Sequence, residues 1–87
     1  MLKITRVTDG RTTRLMVSGR IAAEQIPELR RAVEAECGND VLLDLTEVSL
    51  VDVDGVRFFL LCERQSIRLV QCPAYVREWM AREKRFQ

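Results

Sequence analysis

The chain has 87 residues, of which 47% are hydrophobic and 31% are charged, and this composition is typical of one soluble globular domain over residues 1–87. Fourteen basic and thirteen acidic side chains leave a net charge of +1, so no overall field favours nucleic acid or an anionic membrane. The apolar runs are too short for membrane insertion. Three cysteines without CxxC spacing and without a signal peptide indicate reduced thiols in a cytoplasm. Histidine is absent, which excludes Ser-His-Asp and Cys-His catalysis and His-ligated metals within this chain.

The first half of the chain predicts a β-hairpin followed by a helix. Residues 2–7 and 12–18 are rich in β-branched and aliphatic side chains, and Asp9-Gly10 between them is a strong hairpin signal. Apolar residues then recur at helical spacing, with Pro27 in the first turn, which predicts a helix over residues 24–37.

The second half predicts strands that alternate with helices. Gly38-Asn39 is a helix stop, and residues 41–45 form a central parallel strand that is covered on both faces. A buried helix follows over residues 54–64, then a short strand over residues 67–71, then a third helix that starts at Pro73. The expected fold class is α/β, with a mixed sheet packed by about three helices.

The stretch DVDGV at residues 52–56 permits three chemical interpretations. It resembles the DxDx(T/V) pattern of haloacid-dehalogenase-like enzymes, which would make the chain a small Mg²⁺-dependent phosphohydrolase that uses Asp52 and Asp54. With Glu63, the same acids occupy positions 1, 3 and 12 of an EF-hand register, but an apolar helix fills the rest of that loop. The third interpretation is structural: one of the two aspartates caps the second helix, and Gly55 permits close backbone approach.

Taken together, the hairpin and the segments GRIAAEQIPELRRAV, VLLDLTEVSLVD and CPAYVREWM resemble the STAS domain family, the fold of bacterial anti-anti-sigma factors. The resemblance implies a non-enzymatic, cytoplasmic module that regulates transcription through protein-protein interaction, without a cofactor or metal. In phospho-regulated members a hydroxyl residue follows the aspartate and is phosphorylated by a partner kinase. Val53 stands at that position here, so the usual switch cannot operate. The helix after the turn also looks shorter than in other members.

The resemblance implies that the partner binds at the turn and at the helix start. The expected contact residues are Asp52, Val53, Asp54, Gly55, Arg57 and Phe58, with Arg20 and Glu24 placed near the same end of the molecule. The candidate partners are an anti-sigma factor kinase or a transport ATPase, the second for a STAS subunit of a lipid or anion transport assembly. A homodimer through the edge strand of the hairpin is also compatible with the sequence.

Two further features are interpreted as structural. Cys72 precedes a helix start, where a thiol can become reactive, but its position is typical of a small buried residue. Tyr75, Arg77, Trp79 and Arg82 combine aromatic and basic groups, but helical spacing assigns Trp79 to the core and separates the arginines from it. No nucleic-acid partner is expected.

Overall fold

The computed structural model describes residues 2–36 and 40–84. Within these residues, four strands and three helices form a hairpin followed by alternating elements, which confirms the predicted α/β fold class. The strands are β1 (Lys3–Asp9), β2 (Thr12–Ile21), β3 (Asp40–Val51) and β4 (Arg68–Val70), and the helices are α1 (Ile26–Glu34), α2 (Val53–Arg64) and α3 (Ala74–Lys84). A 3-10 turn over Ala23–Gln25 leads into α1. No helix in residues 2–36 and 40–84 combines the length and the apolar character needed to cross a membrane.

The strands form one mixed sheet in the order β1-β2-β3-β4. β1 and β2 are antiparallel, whereas β2, β3 and β4 are parallel to one another. Because Asp9 pairs with Thr12, the two-residue hairpin loop consists of Gly10 and Arg11, one residue later than predicted. Gly10 has a φ of 62°, the left-handed value that the first position of a type II′ turn requires.

β2 and β3 both continue further than the sequence predicts. Their parallel pairing resumes after two register shifts and ends with Ile21 opposite Val51. Gly19, with a φ of 102°, lies at the second shift, where a bulge increases the local twist. Arg20 therefore belongs to β2, and its placement in a loop before the first helix is wrong.

The helices cover one face of the sheet. Along β2, Leu15 and Val17 are buried while Met16 between them is 40% exposed, which is the alternation expected when one sheet face meets the core and the other meets water. The central strand is thus covered on one face rather than two. The core combines side chains from β2, α1, β3, α2 and α3. Its most buried members include Leu15, Val17, Ile21, Leu29, Leu43, Leu45, Val56, Phe59, Val76 and Met80.

The predicted helices are present with small shifts at their ends. Pro27 is in the first turn of α1, as expected. The predicted end of that helix at Cys37 and the stop at Gly38-Asn39 lie outside the described residues. In α3 the apolar stripe is buried and Trp79 packs against the core, whereas Arg77 pairs with Glu63 of α2 at 2.9 Å. Trp79 therefore belongs to the core, as predicted, and Arg77 is paired with an acid of α2.

The buried side chain of Glu36 connects the segment after α1 to the hairpin. Glu36 is 4% exposed, accepts a hydrogen bond from the Thr13 hydroxyl at 3.1 Å and forms an ion pair with Arg6. Burial of a carboxylate is tolerated when it is paired and hydrogen-bonded in this way. This contact joins segments that lie 23 and 30 residues apart in the sequence.

The end of α2 is a Schellman motif, which explains how the chain turns so quickly into β4. The Ile67 N–H donates to the Cys62 carbonyl at 2.9 Å, and the Ser66 N–H donates to the Glu63 carbonyl at 3.1 Å. Ser66 adopts a φ of 64°, a left-handed conformation that favours glycine. The helix therefore ends at the cost of one strained residue.

Replacing Ser66 by glycine should stabilise the protein. Relief of the left-handed strain exceeds the extra chain entropy of glycine, so we expect Ser66→Gly to raise the free energy of unfolding by about 0.5 to 1 kcal/mol. Ser49→Gly is the matched control, because Ser49 is exposed in β3 and lacks a positive φ. Urea denaturation should show that Ser49→Gly lowers the free energy of unfolding by a similar amount. A loss in both variants would contradict the strain at Ser66.

The buried thiol of Cys62 should make stability fall at high pH. Burial, with a further contribution from the charge of Glu63, raises the pKa of this thiol from 9.0 to about 12. The unfolded chain releases the proton above pH ~9 while the folded chain keeps it, so stability should decline by about 1.4 kcal/mol per pH unit in that window. Urea denaturation with a reductant should therefore show a steeper decline than in Cys62→Ala. Parallel slopes would mean that the thiol does not resist ionisation.

Candidate protein-interaction site

The turn between β3 and α2 is organised by the carboxylate of Asp52. Its Oδ1 accepts a hydrogen bond from the Gly55 N–H at 3.0 Å, and its Oδ2 accepts one from the Ala23 N–H at 3.3 Å. The Asp52 N–H donates to the Ile21 carbonyl at 3.0 Å. Asp52, one of the two aspartates predicted as the cap, is thus the N-cap of α2, and it also binds the chain that leads into α1.

Gly55 is needed because α2 starts very close to the sheet. A Cβ atom at this position would lie 2.6 Å from Cγ1 of Val51 and 2.9 Å from Cγ2 of Ile21. Any larger residue would push α2 away from the ends of β2 and β3. The predicted close backbone approach is confirmed, and its cause is the packing of two strand ends under the first turn of the helix.

The residues between the cap and the glycine differ in exposure. Val53 is the first residue of α2 and is half-buried, whereas Asp54 is the second and is exposed. Asp54 therefore places a carboxylate at the positive end of the helix dipole, where it is stabilising. Val53 is an apolar side chain and has no hydroxyl group.

The geometry does not favour the phosphohydrolase or the calcium site. Both oxygens of Asp52 accept backbone hydrogen bonds, whereas a nucleophilic carboxylate needs an oxygen directed at its substrate. Glu63, the last acid of the EF-hand register, lies near the other end of α2 and pairs with Arg77. In the described part of the chain, no three acidic, cysteine or histidine side chains are grouped so that they could hold a metal ion.

Cys72 does not have the environment of a reactive thiol. It is half-buried just before α3, and burial raises its pKa, while the opposing effect of Arg77 is smaller. A raised pKa lowers the fraction of thiolate, which is the nucleophilic form. The structural interpretation of this cysteine is therefore the better supported one.

The predicted contact residues fall into two groups. Asp54 and Arg57 are exposed next to the capped turn, but Phe58 is only 6% exposed and its ring packs in the core beside Phe59. Phe58 therefore presents little of its ring to solvent, because that side of α2 belongs to the core and faces α1. Leu61, 38% exposed, is the apolar residue that this part of α2 offers instead, and the sequence did not distinguish the two.

A groove runs between α1 and α2, beginning at the turn, with a volume of about 570 Å³. Arg20 and Glu24 are exposed but do not line it. Its apolar walls and its charged rim come from both helices. The apolar residues are Ala23, Ile26, Pro27, Phe58, Leu60 and Leu61, and the charged ones are Arg30, Asp54, Arg57 and Arg64.

A four-stranded mixed sheet with helices on one face, and a capped helix directly after the long parallel strand, define the class of the STAS-type α/β domain. The family model described as "Mlab, STAS domain" matches residues 4–82. The chain belongs to the STAS domain family, as the resemblance indicated.

Two solved structures show the same fold. The STAS domain of an antisigma-factor antagonist from Rhodobacter sphaeroides aligns with a TM-score of 0.60 and 18% identity, over 79% of this chain and 85% of that one. A chain from the structure described as "Crystal Structure Analysis of Mglu" aligns with a TM-score of 0.68 and 21% identity over 80% of this chain. The present chain spans 19% of that protein chain. No curated protein matches the sequence.

Graded substitution of Asp52 should separate the two hydrogen bonds of the cap. Asp52→Ala removes both acceptors and should lower the free energy of unfolding by about 2 kcal/mol. Asp52→Asn keeps one side-chain oxygen and should cost about 1 kcal/mol, because the longer bond to Ala23 is lost while the helix stays capped. Chemical denaturation of the three proteins measures this order. Equal losses would mean that the negative charge matters more than the number of acceptors.

Proposed function

We propose that this chain is a non-enzymatic regulatory module that binds a partner protein through residues 52–58, without phosphorylation at position 53. The observation that carries the proposal is the arrangement of the capped turn. Asp52 fixes the backbone, Gly55 seats the helix on the sheet, and Asp54 and Arg57 are left exposed on that rigid base. Binding residues held on a rigid scaffold lose little entropy when a partner arrives.

The proposed module is constitutive rather than switched. A phosphate group brings about −1.5 to −2 charges, and at a helix N-terminus that charge creates strong hydrogen bonds. Val53 cannot accept a phosphate, whereas Asp54 provides one permanent negative charge in the same helix turn. Intact-mass analysis of the protein from its native cells should find the unphosphorylated form alone. A stoichiometric phosphate at Ser18, Thr46 or Ser49 would contradict a fixed state.

A second candidate is a STAS subunit that docks on a transport ATPase. The matching family model bears the name Mlab, whereas the antisigma-factor antagonist is matched only at the level of the fold. The two candidates use the same turn and differ in the partner. Identifying the bound protein therefore decides between them.

The turn should be tested by comparing the partners of two double variants. Val53→Arg with Asp54→Ala changes the turn, while Val7→Arg with Asp9→Ala makes the same chemical changes in the exposed β1 strand, toward the opposite end of the sheet. Each folded variant is used as bait in native lysate. Captured proteins are identified by mass spectrometry and purified for direct binding measurements.

We expect the wild type and the β1 variant to bind the same partner with similar affinity. The turn variant should bind that partner with a Kd at least about tenfold higher. An anti-sigma-type kinase would support the first candidate, and a transport ATPase would support the second. Equal binding by the turn variant would overturn the assignment of the site to residues 52–58, and Asp52 would then be a helix cap alone.

A further inference from the structure

One face of α2 carries an exposed row of charged and apolar side chains. Asp54, Arg57, Leu61 and Arg64 follow one another at spacings of three, four and three residues, which places all four on the same side of the helix. Asp54, Arg57 and Arg64 are exposed, and Leu61 is the exposed apolar residue between the arginines. This row has the spacing of a helix surface that packs against another helix.

The groove between α1 and α2 extends this row into a concave surface. Ile26 and Pro27 of α1 form the facing apolar wall, and Arg30 adds a third guanidinium to the rim. α2 has 12 residues and is therefore about 18 Å long, which matches about three turns of a docked helix. The surface thus has the shape and length of a site for a short helical segment.

The charge of the groove selects an acidic occupant. Arg30, Arg57 and Arg64 take part in none of the ion pairs formed within the described residues, where the paired arginines are Arg6, Arg14, Arg77 and Arg82. Three unpaired guanidinium groups therefore surround the apolar floor, against the one carboxylate of Asp54. Guanidinium groups bind carboxylates through paired hydrogen bonds, so partner carboxylates would complete this rim.

We propose that an acidic amphipathic helix of the partner protein docks in this groove. Its apolar face covers Leu61 and Ile26, and two of its carboxylates, seven residues apart, bind Arg57 and Arg64, whose own separation along α2 is about 10 Å. The proposal deepens the proposed function, on which it rests, by naming the chemistry of the partner. A second copy of this chain is a poor occupant, because a two-fold contact would bring the same arginines against each other.

Peptide binding followed by NMR tests the groove directly. The probe is a helical peptide of about 18 residues. It carries two glutamates seven positions apart, and leucines three and four positions after the first glutamate. A second peptide has lysines in place of the glutamates. We expect the acidic peptide to shift the amide signals of Arg30, Arg57 and Leu61, and the lysine peptide to leave them unchanged.

Charge reversal in the protein should reverse this preference. Arg57→Glu with Arg64→Glu should weaken binding of the acidic peptide by at least about tenfold and create binding of the lysine peptide. The control is Arg11→Glu with Arg68→Glu, which makes the same charge change at exposed positions outside the groove and should behave as the wild type. Retention of acidic-peptide binding by the groove variant would overturn the proposal.

Other outcomes identify a different occupant and also overturn it. Equal binding of the two peptides would make the groove a general apolar surface, and no shift at millimolar peptide would mean that it accepts no helix. Shifts caused by phosphatidylglycerol vesicles alone would assign it to a membrane. Concentration-dependent dimerisation abolished by the groove variant would assign it to a second copy.

The partner captured in native lysate distinguishes this proposal from the proposed function. If the turn variant loses the partner and the groove variant keeps it, residues 52–58 are the interface and the acidic-helix proposal fails. If the groove variant loses it and the turn variant keeps it, the groove proposal stands and the assignment of the interface to Val53 and Asp54 fails. Loss in both variants is expected if both hold, since Asp54 and Arg57 belong to both surfaces.

Discussion

The carboxylate of Asp52 accepts one hydrogen bond from the helix that follows it and another from Ala23, which lies 29 residues earlier in the chain. This double acceptance is possible because β2 and β3 are parallel and end side by side, so the segments leaving both strands meet at one edge of the sheet. α1 and α2 consequently begin near a common point. The groove between them and the exposure of Asp54 follow from that common origin. Gly55 completes the arrangement, because only a residue without a side chain lets α2 rest on Ile21 and Val51.

The same interaction limits what the turn can do chemically. A carboxylate that is held by two backbone N–H groups is a fixed structural acceptor, and its negative charge is already matched to the start of a helix. It leaves the neighbouring side chains to determine binding. Those side chains are an apolar Val53 and an exposed Asp54, so the charge at this turn comes from Asp54. Under the proposed function, the turn acts through this fixed charge rather than through covalent regulation.

Local patterns in the sequence predicted most of the elements but few of their contacts. The sequence predicted the hairpin, the three helices and a helix cap, because turn residues, helical periodicity and capping residues act over a few positions. The ends of β2 and β3 were missed, since Gly19 and the polar run near Thr46 resemble a loop, and only the parallel pairing of distant residues keeps them extended. The burial of Glu36 could not be predicted either, because its partners Thr13 and Arg6 lie far away in the sequence. Which of Phe58 and Leu61 faces solvent depends on where α1 packs, and no pattern within α2 determines that.

The separation of a rigid capped turn from a charged groove also predicts how such a surface behaves kinetically. Exposed arginines at a rim act mainly on the rate of encounter, and salt screens them, whereas buried apolar contacts act mainly on the rate of dissociation. Arg57 and Arg64 belong to the first kind, and Leu61 with Ile26 would belong to the second once a partner covers them. A partner that complemented only the charges would associate quickly and dissociate quickly. Lasting binding requires the apolar row to be matched as well. In the constitutive module proposed above, control over binding then rests on the supply or the conformation of the partner segment.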